Sequence, residues 1–218
     1  MLSNAHDESK ESAVTHIGTN NLLTLEYYML KKYILAGVYV VPHYEQHQIS
    51  SDTVWDGAIF VKAGPYRNGK FWFFICFPED YPKSWPRVQF HSMIFHPLIN
   101  PHDGALDMKF AMADAKPGEA VVMRTVAFIK KIFYSEEYWK VTNSYNVQAG
   151  QLYLKNADEF LKKTKESVEE SEKKLYLVNQ NSTLRFAEET SEHKVILEKA
   201  RAIEKENVIL LLKVCRFR

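Results

Sequence analysis

The sequence predicts an α+β domain: an amphipathic helix, a four-stranded antiparallel meander, a helix apolar enough to lie in the core, and further C-terminal helices. Three observations carry this prediction. Between residues 38 and 90, four short β-branched or aromatic runs are separated by Gly- and Pro-rich connections, the pattern of successive strands. Residues 121–133 repeat apolar side chains at helical spacing around more than half the circumference. A hydrophobic content of 46%, with 13% aromatic residues, lets 218 residues bury one core of domain size and still carry extensions.

In chain order, residues 1–19 are polar with no sustained period and read as a flexible tail. Asn20 or Asn21 supplies an N-cap, and Leu22, Leu25, Tyr28, Met29 and Lys32 keep a helical repeat until Gly37 stops it. Val38–Val41 is a β-branched run closed by Pro42, and Val54–Val61 is the second strand. Gly64-Pro65-Tyr66 and Asn68-Gly69 turn the chain into Phe71–Phe77, which Pro78 ends because proline has no hydrogen to donate to the ladder. Arg87–Phe90 is the fourth strand, and short loops between successive strands favour antiparallel pairing.

After residues 95–108, Pro117-Gly118-Glu119 introduces the core helix with Val121, Val122, Thr125, Phe128, Ile129, Ile132 and Phe133. Helical patterns over 146–154 and 157–175 follow, the second mixing Phe160, Leu161, Val168 and Leu175 with Lys and Glu. The polar stretch 178–182 breaks the pattern, so the expected plan is a tail at 1–19, a domain at 20–178 and a helical extension at 179–218. In that extension Ile196, Ala200, Ile203, Asn207, Leu210 and Val214 are spaced 4, 3, 4, 3 and 4, a seam with one polar member. It reads as a coiled-coil contact or as a helix folded back on the domain.

Several function classes are excluded. With 28 Lys+Arg against 27 Asp+Glu, the net charge of +1 gives no global field toward nucleic acid or acidic membrane. Two cysteines, Cys76 and Cys215, make neither a disulfide framework nor a zinc cluster. His91, His96, His102, Asp103 and Asp107 match no ligand spacing, so no metal and no cofactor are expected. The polar N-terminus resembles no targeting peptide, and the apolar run 208–212 is far below the roughly 18 residues that span a bilayer, so a cytoplasmic protein is expected.

Read together, Gly64-Pro65-Tyr66, the alternation Phe71/Phe73/Ile75/Phe77, Pro78-Glu79-Asp80-Tyr81-Pro82, Pro86–Phe90 and His96-Pro97 resemble the ubiquitin-conjugating enzymes. That resemblance runs from the first helix to about Leu177 and implies their fold: helix, meander, active-site crossover, then helices. Members that conjugate ubiquitin carry a nucleophilic cysteine before a Leu-Asp pair and an oxyanion-stabilising asparagine after His-Pro. Here Ala105 precedes Leu106-Asp107, and Leu98 follows His96-Pro97. Asn100 would need a register shift to replace the amide, and Cys76 alternates onto a strand as a packed small side chain. Thioester chemistry is therefore not expected.

Among variants, the closest likeness is to the fused-toes/crossbronx, or AKT-interacting protein, family, through Gly37–Pro42, Trp55–Val61, Phe95–Pro101 and Gly104–Asp107. The resemblance implies a non-catalytic adaptor that joins Hook-type coiled-coil proteins, sits at endosomal membranes through them, links vesicles to dynein transport and touches AKT signalling. The competing expectation is a cofactor that binds ubiquitin or an active conjugating enzyme. Strand alternation supplies candidate contact residues: with Phe71, Phe73, Ile75 and Phe77 facing the core, Phe60, Trp72 and Phe74 share the opposite face. Such an aromatic sheet face must be covered, by a partner or by the chain's own first helix or C-terminal segment.

Overall fold

The structure is a computed structural model, and it describes residues 21–33, 35–42, 54–113, 115, 120–175, 183–184, 186, 190–199 and 201–203. The chain divides into two compact units, Met1–Leu184 and Arg185–Arg218.

In the first unit, helix α1 (21–32) precedes strands β1 (Val38–Pro42), β2 (Val54–Phe60), β3 (Lys70–Cys76) and β4 (Arg87–Phe90). The sheet order is β1-β2-β3-β4 with every pair antiparallel, the meander expected from the short connections. A single turn, α2 (Lys109–Met112), leads to α3 (Val121–Tyr134), and a 3-10 turn (Glu136–Tyr138), α4 (Val147–Lys155) and α5 (Ala157–Lys174) follow. The strands begin and end within one residue of the runs read from the sequence. The architecture is the α+β fold predicted.

Register separates the two sheet faces. Trp55 pairs with Ile75, Gly57 with Phe73 and Ile59 with Phe71, and these side chains join Val88 and Phe90 in the main core. Gly57 is glycine for space: a Cβ there would sit 2.2 Å from the Phe73 ring. Across this face lies α3, whose Val122, Val126, Ile129, Ile132 and Phe133 are buried at i, i+4, i+7, i+10 and i+11, one continuous stripe. Phe133 stacks on Phe71 at 5.2 Å and meets Phe90 edge-on at 5.7 Å, which seats the helix on the centre of the sheet.

In the second unit, residues 191–199 and 201–203 are helical and exposed. Thr190 caps this helix reciprocally with His193: the His193 amide donates to Thr190 Oγ1 at 3.3 Å and the Thr190 amide to His193 Nδ1 at 3.2 Å. No helix among the described residues is long and apolar enough to cross a membrane.

Candidate functional site

Residues 95–108 form a folded-back loop beside β4, built mostly from backbone hydrogen bonds. Ile99 and Leu106 bridge antiparallel, and Gln89 of β4 bridges Ala105. The Leu106 amide donates to the Val88 carbonyl and the Phe90 amide to the Gly104 carbonyl, so the returning limb continues the sheet edge. Two side chains close the tip: the His102 amide donates to Asn100 Oδ1 and the Ala105 amide to Asp103 Oδ1, each at 2.9 Å. Gly104 sits at φ +76, and a Cβ there would lie 2.2 Å from the Phe90 carbonyl oxygen. Gly104→Ala is therefore expected to lose about 2 kcal/mol in chemical denaturation, from left-handed strain plus displacement of that carbonyl.

The base of the loop is anchored by His96, which is fully buried. Its Nδ1 accepts from the Leu98 amide at 3.0 Å, so its Nε2 carries the hydrogen and donates to the Ile132 carbonyl at 3.1 Å. Trp139 Nε1 donates to the same carbonyl at 2.9 Å, so two rings satisfy a group left open near the end of α3. Burial lowers the His96 pKa from 6.5 to about 4, against the smaller opposing effect of the Ile132 hydrogen bond. The ring is neutral at ordinary pH and serves as a fixed strut. Tyr66 completes the support by donating from its hydroxyl to the Phe95 carbonyl at 2.8 Å, a partly buried bond reached from the Gly64-Pro65-Tyr66 turn. Desolvation raises the Tyr66 pKa well above the ordinary range.

On this frame Leu98 is 0% exposed and belongs to the core, while Ala105 is half-buried on the outer limb. The Asn100 side chain is engaged in the tip turn, so its oxygen caps a backbone amide. Asp107 binds Ser144 Oγ at 2.6 Å and Lys109 Nζ at 2.9 Å, tying the loop to the segment before α4. Among the described residues the cysteine is Cys76, in no disulfide, and it lies on β3 opposite Val54 and Arg87 rather than in the loop. Among the described residues no group of three His, Cys, Asp or Glu side chains could hold a metal.

The other sequence-derived residues are placed as follows. Trp72 is 8% exposed, whereas Phe60 and Phe74 are half-buried; register puts all three on the sheet face away from α3. Phe60 meets Tyr39 edge-on at 5.6 Å, and Phe74 meets His91 at 6.3 Å. Ile196 and Ile203 are 64% and 58% exposed on the second unit's helix, and Ala200, Leu210 and Val214 lie outside the described residues.

One buried residue escaped sequence reasoning. Glu26 of α1 accepts from the Tyr81 hydroxyl at 2.7 Å and, through its second oxygen, from the Val122 amide at 2.8 Å. It thereby caps α3 from another element, where the helix's own N-cap residue, Ala120, has no side-chain acceptor. Burial, and then the hydrogen bond to Glu26, raise the Tyr81 pKa above its ordinary range. A signal was available: Leu23, Glu26 and Leu30 are spaced 3 and 4 on one stripe, which makes a carboxylate a member of an apolar face.

A meander packed on one core helix, with a His-Pro loop folded against its last strand, defines a class, and comparison with known proteins agrees. Residues 23–168 match the ubiquitin-conjugating enzyme family model. A solved structure titled as a novel ubiquitin-conjugating enzyme superposes on 66% of this chain and 90% of its own with a TM-score of 0.52; at 18% identity it speaks for the fold alone. The chain belongs to the ubiquitin-conjugating enzyme family, in its crossbronx and AKT-interacting protein branch of variants. It is 36% identical to a crossbronx homolog of Culex quinquefasciatus, over 69% of this chain and 65% of the relative. It is 35% identical to an AKT-interacting protein of Rattus norvegicus, over 67% and 48% respectively. The chain thus spans between about half and two thirds of the length of the curated relatives it matches.

Proposed function

We propose that the chain is a catalytically inactive conjugating-enzyme variant that works as an adaptor or scaffold subunit, with Hook-type coiled-coil proteins as its partners in endosomal vesicle transport. The observation that carries the inactive half is the pair Ala105 and Leu98. A methyl group stands where the family's nucleophile would be, and a fully buried leucine stands where its amide would be. Full burial of that leucine contributes roughly 1.5–3 kcal/mol, so the substitution is built into the core. A loop with its hydrogen bonds complete and no nucleophile serves structure and contact.

The adaptor half is supported by those relatives that are named for an interaction with AKT rather than for conjugation. The proposed contact surfaces are the sheet face of Phe60, Trp72 and Phe74 and the tail seam of Ile196, Ala200, Ile203, Leu210 and Val214.

Two measurements test this. Incubation with ubiquitin, activating enzyme and ATP is expected to give no reducible adduct, and a thiol-sensitive band would overturn the inactive reading. Affinity purification of the tagged full chain, against a version ending at Val178, is expected to recover Hook-type coiled-coil proteins with the full chain only. Their absence from the full chain would overturn the adaptor assignment.

A further inference from the structure

We propose that the outer face of the sheet is a seat for a stretch of polypeptide backbone, and that the chain fills it with its own residues 183–184, which act as a strap. The strap bears on the adaptor reading at one point, since it occupies the sheet face of Phe60, Trp72 and Phe74 offered there as a contact surface, but it concerns a contact within the chain and is tested without any partner.

The face carries a carboxylate at its centre. Asp56 points away from α3, in register with Val41 on one side and Phe74 on the other, yet it is 0% exposed. Its neighbours Ala58 and Trp72, paired across β2 and β3, are 2% and 8% exposed and lie outside the main core cluster. A charged side chain is buried in the middle of a sheet face only beneath a cover that hydrogen-bonds it. That cover is visible: the Thr183 backbone amide donates to Asp56 Oδ2 at 2.6 Å, and the next residue, Leu184, is half-buried.

The chemistry says what kind of segment the seat takes. Asp56 reads a main-chain N–H, which every residue except proline offers, so the contact selects an accessible backbone rather than a particular side chain. Ala58 and Trp72 form an apolar floor beside it, and Phe60 and Phe74 flank it half-buried. The helix that precedes this segment in the sequence is anchored at the same sheet. The last turns of α5 are tied to the start of β3 by the Lys70 amide donating to Ser171 Oγ at 3.1 Å and by the Lys70–Glu172 ion pair at 2.8 Å. The chain leaves α5 beside the strand that carries Trp72. A partner using this face would have to present a backbone N–H of its own to Asp56 and displace the strap.

The test uses the full chain. Thr183→Pro removes the donated hydrogen while leaving the sheet untouched. With Cys76→Ser and Cys215→Ser as background, the thiol introduced by Ala58→Cys reports whether the face is covered. It is expected to resist a maleimide when Thr183 is present and to label roughly tenfold to a hundredfold faster with Thr183→Pro, the factor set by loss of one charge-assisted hydrogen bond. Hydrogen exchange gives a second measurement: Asp56→Ala is expected to speed exchange of the Thr183 amide by a similar factor while β2 and β3 stay protected. Equal labelling with and without Thr183→Pro would overturn the strap. Simultaneous loss of strand protection in Asp56→Ala would overturn the latch, because Asp56 would then be holding the sheet itself.

Discussion

Glu26→Ala is expected to destabilise the domain by roughly 3–5 kcal/mol, lowering the melting temperature by about 10 °C. Two donors lose a charged acceptor at once. The Tyr81 hydroxyl is buried against Glu26, and the Val122 amide lies in the first turn of α3, where the helix offers no acidic residue of its own. Hydrogen bonds to a charged group contribute about 1.5–3 kcal/mol each, and leaving the buried donors unpaired adds their desolvation cost. Truncation also opens space between Leu23 and Leu30, so packing against the core is lost as well. Glu26→Gln separates these contributions. Its oxygen can still accept from Val122 while its amide donates to the Tyr81 oxygen, so a loss of about 1–2 kcal/mol is expected, mostly from the missing charge at the helix N-terminus. Urea denaturation of both variants decides it: an alanine variant within 1 kcal/mol of the parent would mean that water replaces the carboxylate at no cost.

The contrast between Glu26 and the strands shows what one sequence reveals. Alternation along Trp55–Phe60 and Phe71–Cys76 was legible because a period of two assigns each side chain to a face without knowledge of the partner. Leu98 and Ala105 were legible because they stand at fixed offsets from His96-Pro97 and Leu106-Asp107. Two short turns, Lys109–Met112 and Glu136–Tyr138, were missed because four and three residues are too few to express a helical period.

The remaining gaps share a cause. Glu26 meets Val122 across 96 positions, and Thr183 meets Asp56 across 127, so neither pairing leaves a local trace. Each could be suspected only as a carboxylate inside an otherwise apolar pattern: one in a helix stripe, the other among Trp55, Ala58, Ile59 and Phe60. A polar group in such a pattern must find a partner or cost the fold its desolvation energy, and the sequence does not say which partner. For the candidate site the same division holds. The positions of Ala105 before Leu106-Asp107 and of Leu98 after His96-Pro97 are read directly from the residues, whereas the capture of Asn100 by the loop tip needed the fold.

Acidification is expected to weaken the domain through His96 by about 3 kcal/mol between pH 6.5 and pH 4. The sign follows from proton counts. In the unfolded chain the imidazole titrates at its ordinary value of 6.5, whereas in the fold burial holds it at about 4. Between those values the unfolded state binds a proton that the folded state excludes, so stability rises with pH across this window and falls as pH drops through it. Well above pH 6.5 both states are neutral and this contribution levels off. Geometry explains the exclusion: protonation would put a hydrogen on Nδ1, directly against the Leu98 amide that donates to it. The break would open the base of the loop, and Leu98, fully buried in the core, would lose its backbone anchor with it. His96→Asn supplies the control, because an amide oxygen can take the Leu98 hydrogen but does not titrate. The variant is expected to be less stable at pH 7, having lost the Ile132 bond and ring packing, while showing a shallower decline toward pH 4. Denaturation curves of parent and variant at pH 7, 5.5 and 4 measure the difference in slope. Parallel profiles would mean that other groups carry the acid sensitivity and that the buried imidazole accepts its proton at no cost to the fold.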